Sequence, residues 1–353
     1  MKTAITVGGA DSGKSGGFES TVDFVVEAEK LGVDVAWSAE AWGMDALTPL
    51  AYIAARTSKI RLGTGIAQVS ARAPGNLAMA AMSLALMSGN RLILGLGVSG
   101  PQVVEGLHGV PFAKPLGRLK ELVSILKLAF AGERLQFQGE HYQLPRLGGE
   151  GKALKLAMPA NAEIPIFLAT LGPRSLEYTG EVADGWLGTS FTPATADMYF
   201  EHMRLGADKV GRSLSDISMA VGAVVGIDDD VEKLIAKRKP TLAFQLGGMG
   251  SADTNFYNEA YRRIGFEDVA KNVQSLWVQG KRDQAVAAVP DELALQTSIL
   301  GTREMVKERL RQYQDSGINI LQLQIMGRGP DAKLEIIDTV HQLIAENSEE
   351  KEA

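Results

Sequence analysis

Eight times along this chain, a short apolar run rich in β-formers gives way to a longer stretch with helical spacing. The strand-type runs fall at residues 3–7, 33–38, 60–66, 91–97, 165–169, 185–189, 217–227 and 319–325. Helical patterns follow at residues 18–31, 46–56, 74–87, 115–130, 174–181, 194–210, from 231 onward, and at 333–346. In the first of these, Val22, Val25, Val26 and Leu31 fall on one side of a 3.6-residue period. Strands alternating with helices predict a parallel sheet with right-handed crossovers, and eight such units predict a (β/α)8 TIM barrel. Two segments break the spacing. Residues 132–163, after the fourth strand, contain the strand-like LQFQGEHYQL and a turn with Gly148, Gly149 and Gly151. Residues 241–298, between the seventh and eighth strands, carry helical patterns. The two are expected to cover the barrel mouth or a partner subunit. Residues 1–346 are expected to form a single domain, and the Glu/Lys-rich tail at 347–353 to fray.

Composition narrows the class of function. The chain has 353 residues, 45% hydrophobic and 22% charged, as an ordinary soluble globular protein would. A net charge of −6 argues against a nucleic-acid or anionic-membrane partner. With no cysteine there is no disulfide, thiolate nucleophile or cysteine metal site, and a reducing cytoplasm fits. The four histidines (His108, His141, His202, His341) show no metal-ligand spacing.

Two motifs suggest nucleotides and fail on context. Gly95 to Gly100 reads G-x-G-x-x-G after a strand. A dinucleotide fold would open its helix inside that motif, yet Pro101, Gly106 and Gly109 hold off a long helix until Pro115. Gly8 to Ser15 matches the P-loop pattern, but Gly16 and Gly17 oppose the helix that must begin there. What does survive is a glycine-punctuated loop leaving a buried strand, where backbone N–H groups can approach a ligand closely.

Three stretches carry a resemblance: GTGIAQVSARAPGNLAMAAMSLALMSGNR, LGLGVSGPQVVEGLHGVPFAKPLGR and IPIFLATLGPRSLEYTGEVADGW. They resemble the bacterial luciferase-like superfamily, and more closely its branch that uses the deazaflavin coenzyme F420. NFYNEAYRRIGFEDVAKNVQSLWVQGKRDQAVAAVPDEL is similar to the same branch. The resemblance implies a TIM barrel, in agreement with the strand count. It implies a cis peptide between Gly65 and Ile66, bulging behind the deazaflavin ring. Val98, Ser99 and Gly100 would meet the ring and ribityl chain, with a hydrogen bond from Gln102. Gly172, Pro173, Arg174 and Ser175 open a helix whose free N–H groups, with the Arg174 charge, suit an anionic tail. A small-molecule substrate and a homodimer are implied as well.

The catalytic group is less directly indicated. Relatives that oxidise sugar phosphates carry an Asp-His pair where Ala39-Glu40 stands here. Relatives that reduce methylenetetrahydromethanopterin carry an acidic residue in the first strand, where Thr6 and Val7 stand. Glu40 is the carboxylate left at the end of the second strand. Desolvation by Trp42 and a ring would raise its pKa and make it a general acid, or it is a salt-bridged mouth residue. The expected activity is F420-dependent hydride transfer to or from an organic substrate. The alternatives are an FMN-dependent luciferase-like monooxygenase, a P-loop nucleotide-binding protein, and a cofactor-free relative that keeps the barrel for binding.

Overall fold

The computed structural model describes residues 1–7, 17–249 and 255–352. The strands of its (β/α)8 order are β1 (Lys2–Val7), β2 (Val35–Ser38), β3 (Arg61–Thr64), β4 (Leu92–Gly97), β5 (Ile166–Ala169), β6 (Gly185–Gly188), β7 (Ser218–Ile227) and β8 (Ile320–Ile325). The helices include α1 (Gly17–Lys30), α2 (Thr48–Ala54), α3 (Pro74–Met87), α4 (Pro115–Phe130), α5 (Pro173–Val182) and α6 (Ala196–Lys209). After β7 come α7 (Val231–Gly247), α8 (Glu267–Val278) and α9 (Arg303–Asp315), and after β8 comes α10 (Pro330–Glu352). This is the (β/α)8 order that the sequence periods predict. Proline at the first helical position sets the starts of α3 and α4, where its missing N–H costs nothing.

The chain divides into two compact units, one of Thr6–Thr170 with Val182–Leu187, the other of Met1–Ile5, Leu171–Glu181 and Gly188–Ala353. In the first, β2 to β6 pair in parallel, with Trp37 opposite Gly63, Gly63 opposite Ile93, Gly95 opposite Phe167, and Phe167 opposite Gly185. Laddered residues share a face of the sheet. On this face the Trp37 and Phe167 rings lie 5.9 Å apart although β3 and β4 run between their strands. Side chains meet across two intervening strands only where the sheet curves toward itself, so this is its concave face. The glycines make room for them: a Cβ on Gly63 would overlap the Trp37 indole, and one on Gly185 the Phe167 ring.

In the second unit, β1 pairs with β8 from Lys2↔Ile320 to Ile5↔Leu323, and β8 pairs with β7. The described residues of its 241–298 segment are largely helical, as expected, and lead into a short strand at Ser298–Gly301. The segment builds a satellite core from Leu242, Leu246, Tyr261, Ala270, Val273 and Leu293. In the first unit the 132–163 segment contains a small hairpin, Phe137–Gln138 against Gln143–Leu144. Glu121 of α4 holds it by accepting the backbone N–H groups of Glu140, His141 and Tyr142.

The last helix runs beyond Glu346, where the sequence pattern stops, to Glu352. The cause is tertiary. Asn347 is buried and its amide donates to the Lys307 carbonyl, while Lys307 pairs with Glu346 and Glu350 and Lys351 pairs with Asp315. Helices α5 and α6 meet at glycine: a Cβ on Gly180 would overlap the Met203 carbonyl, and one on Gly206 the Glu177 carbonyl. Backbone cannot give way as a side-chain tip can. Gly180→Ala is therefore expected to cost about 1–3 kcal/mol, read as a lower urea midpoint at unchanged m-value.

Candidate cofactor and active site

The C-terminal ends of β2, β3 and β4 lie together in the first unit, at the end of the barrel where such folds keep their sites. The chain leaving β3 bulges at Gly65–Ile66, and that peptide is cis, as the resemblance implied. Two backbone bonds tie the bulge to β2 and its exit: Gly65 N–H donates to the Ser38 carbonyl (2.7 Å), and Glu40 N–H donates to the Ile66 carbonyl (3.2 Å). The Ile66 side chain lies where a Cβ on Gly97 would be, so the bulge rests on the last residue of β4. A two-residue strand, Ala67–Gln68, then pairs with β4 through Ala67↔Leu96 and Gln68↔Gly97.

The loop beyond Gly97 turns sharply. Ser99 adopts φ = 58°, a left-handed conformation uncommon for a residue with a Cβ. The Gly100 carbonyl accepts N–H groups from Val103 and Val104, closing a single helical turn at Pro101–Val104. Val98, Ser99 and Gly100 are half-buried and Gln102 is exposed, leaving the loop open to a ligand. One helical turn cannot supply the long helix of a dinucleotide fold, so the G-x-G-x-x-G match is coincidental. The P-loop match at Gly8 to Ser15 lies outside the described residues.

Glu40 has partners that the sequence could not reveal. Its carboxylate is 7% exposed and forms a two-point pair with Arg72, with Nη2–Oε1 at 2.6 Å and Nη1–Oε2 at 2.8 Å. Oε2 also accepts the Gln68 N–H (3.0 Å), and Oε1 the Ala46 N–H (3.4 Å). Four donors converge on the group, so its oxygens are held in place by the neighbouring backbone and by Arg72. Trp42, expected to desolvate it, is 66% exposed and cannot. The hydrogen bond that Arg72 donates to Glu40 holds its guanidinium above the usual pKa. Burial alone would push the Asp45 carboxyl up. The hydrogen bonds from Thr48 and Leu47, with the Arg72 charge, outweigh it and bring Asp45 below the ordinary range. Arg72 thus joins Glu40 and Asp45, and with them β2, the bulge and the approach to α2.

Sequence reasoning passed over both Arg72 and Gln68. The hint for Arg72 was an arginine two residues before Pro74 in an otherwise apolar context. Gln68 had no local signal. In the second unit, Gly172 precedes α5 and its carbonyl accepts the Ser175 N–H, the Ser175 hydroxyl and the Leu176 N–H. Pro173 and Arg174 are exposed, and Arg174 makes no ion pair among the described residues. Arg263 donates to the Leu171 carbonyl at 3.0 Å, bracing the same loop.

Among the described residues, no cluster of His, Cys, Asp or Glu could hold a metal ion, and no helix is long and apolar enough to cross a membrane. A Mycobacterium tuberculosis protein named as a coenzyme F420-dependent oxidoreductase is 41% identical over 311 residues, covering 86% of this chain and 90% of its own. The 5,10-methylenetetrahydromethanopterin reductase of Methanolobus tindarius is 29% identical, over 82% of this chain and 85% of its own. The solved coenzyme F420-dependent tetrahydromethanopterin reductase of Methanopyrus kandleri superposes with a TM-score of 0.80 at 23% identity, covering 98% of each chain. Residues 2–319 match the model of the luciferase-like monooxygenases, and the chain belongs to that family.

Proposed function

We propose that this protein is a coenzyme F420-dependent oxidoreductase acting on a small organic molecule by hydride transfer. The observation that carries the reading is the Gly65–Ile66 bulge seated on Gly97, beside a loop that turns through left-handed Ser99. Its rank above the FMN alternative draws on the 41%-identical relative named for F420. The residues fit a planar ring with a polar chain: a bulge to back the ring, half-buried backbone at Val98 to Gly100, and the Ser99 hydroxyl and Gln102 amide for polar contacts. Gly172, Pro173, Arg174 and Ser175 would take the anionic tail. When bound, F420 supplies a ring carbon that gives or accepts the hydride.

The protein's own part is orientation. Glu40 and Arg72 fix the bulge at both its Ile66 carbonyl and its Gln68 N–H, so the surface behind the ring is set before the cofactor arrives. Glu40 serves this placement and not proton donation. The reading includes a cytoplasmic homodimer, in keeping with the absence of cysteine and with Met79, Leu86 and Met87 exposed on α3.

Titration of the purified apoprotein tests the cofactor assignment. F420 should bind with a change in its fluorescence, FMN more weakly, and ATP not at all. Tighter binding of FMN would favour the monooxygenase alternative. ATP-dependent stabilisation that Lys14→Ala abolishes would favour a nucleotide-binding protein.

A further inference from the structure

Gln68 is 0% exposed, and neither atom of its carboxamide, Oε1 or Nε2, has a hydrogen-bond partner. Native proteins rarely leave a buried donor and acceptor both unmet, because each has given up its water. The position makes the anomaly informative. Gln68 ladders with Gly97, which ladders with Ala169, two residues on from the Gly95–Phe167 pair. By the alternation of a strand, its side chain belongs to the concave face shared by Trp37 and Phe167. The Trp37 indole N–H on that face is unpartnered too. The backbone of Gln68 is fixed by its N–H to Glu40, with the bulge on one side and the loop after Gly97 on the other. The side chain, by contrast, is held by no hydrogen bond.

We infer that the Gln68 carboxamide binds the lactam edge of the cofactor's deazaflavin ring. A carboxamide offers one acceptor beside a donor. The pyrimidinedione end of a deazaflavin offers an N–H flanked by carbonyls, the complementary pattern. Gln68 C=O takes the ring N–H, and Gln68 NH2 donates to an adjacent ring carbonyl. This rests on the F420 reading and adds to it the residue that selects the ring rather than the tail. It also accounts for the unpartnered amide, which is unsatisfied only until the ring arrives.

The test uses Gln68→Met and Gln68→Leu, which keep the bulk and remove both polar atoms. Thermal melts of the apoproteins and fluorescence titrations are the readouts, with F420 and with its tail-less deazaflavin-ribityl fragment as ligands. Removing an unmet buried amide should leave the apoprotein Tm unchanged or raise it by about 2–4 °C. Affinity for both ligands should fall by a similar factor, roughly 10- to 100-fold, since the lost bonds lie at the ring. A lower apoprotein Tm in both variants, or failure of both to fold, would make Gln68 a structural residue and overturn the assignment. F420 binding within twofold of wild type would overturn it as well, as would a change confined to substrate KM. Failure of the wild-type protein to bind F420 would instead remove the cofactor reading on which this one stands.

Discussion

Arg72→Met is expected to lower stability by about 3–5 kcal/mol and to remove measurable F420 binding. The arginine is 17% exposed and its Glu40 partner 7%. Without Arg72, a buried carboxylate keeps only the Gln68 and Ala46 N–H groups, and the uncompensated charge is costlier than the lost pair itself. Glu40 would turn toward water, and that movement loosens the Gln68 N–H and the bulge that carries Ile66. Arg72→Lys should recover part of the stability and less of the binding, because an ammonium cannot reproduce the two-point contact. Glu40→Gln separates placement from proton transfer. A glutamine must turn an NH2 toward groups that are themselves donors, so stability and cofactor affinity should fall together. A variant that binds F420 normally but turns over roughly 100-fold slower would restore Glu40 as the general acid. Urea titrations and cofactor fluorescence on the same preparations decide between them.

Gly95→Ala is expected to prevent folding, or to cost more than about 3 kcal/mol, with little or no soluble protein recovered. A methyl at this position would run into the Thr64 carbonyl and come within 2.7 Å of Leu187 Cδ1. Backbone cannot retreat here. Thr64 Oγ1 donates to the Gly95 carbonyl at 2.7 Å and accepts the Gly95 N–H at 2.8 Å, locking β3 to β4. The glycines of this strand therefore serve packing on the concave face. A nucleotide-binding role would predict the opposite pattern: a folded Gly95→Ala protein, by circular dichroism, with only its ligand affinity reduced.

Several features were legible in the chain because their causes are local. A period of two or of 3.6 residues marks strand or helix wherever it occurs, and proline at a first helical position fixed the starts of α3 and α4. The number of βα units follows by counting, and the cis bond at Gly65–Ile66 came from a resemblance rather than from any rule of spacing. The partners of individual side chains were not legible. Arg72 reaches Glu40 across 32 residues, and Asn347 binds the Lys307 carbonyl across 40. Nothing in either neighbourhood encodes those distances. Glu40 looked like an acid because it is the carboxylate left at the end of the second strand, and Trp42 looked like its shield because it stands two residues away. The fold put the tryptophan in solvent and brought the arginine in from beyond β3. Local sequence determines which stretches become strand and which become helix. Only the tertiary structure decides which buried charges are paired and, at Gln68, which polar group is left without a partner.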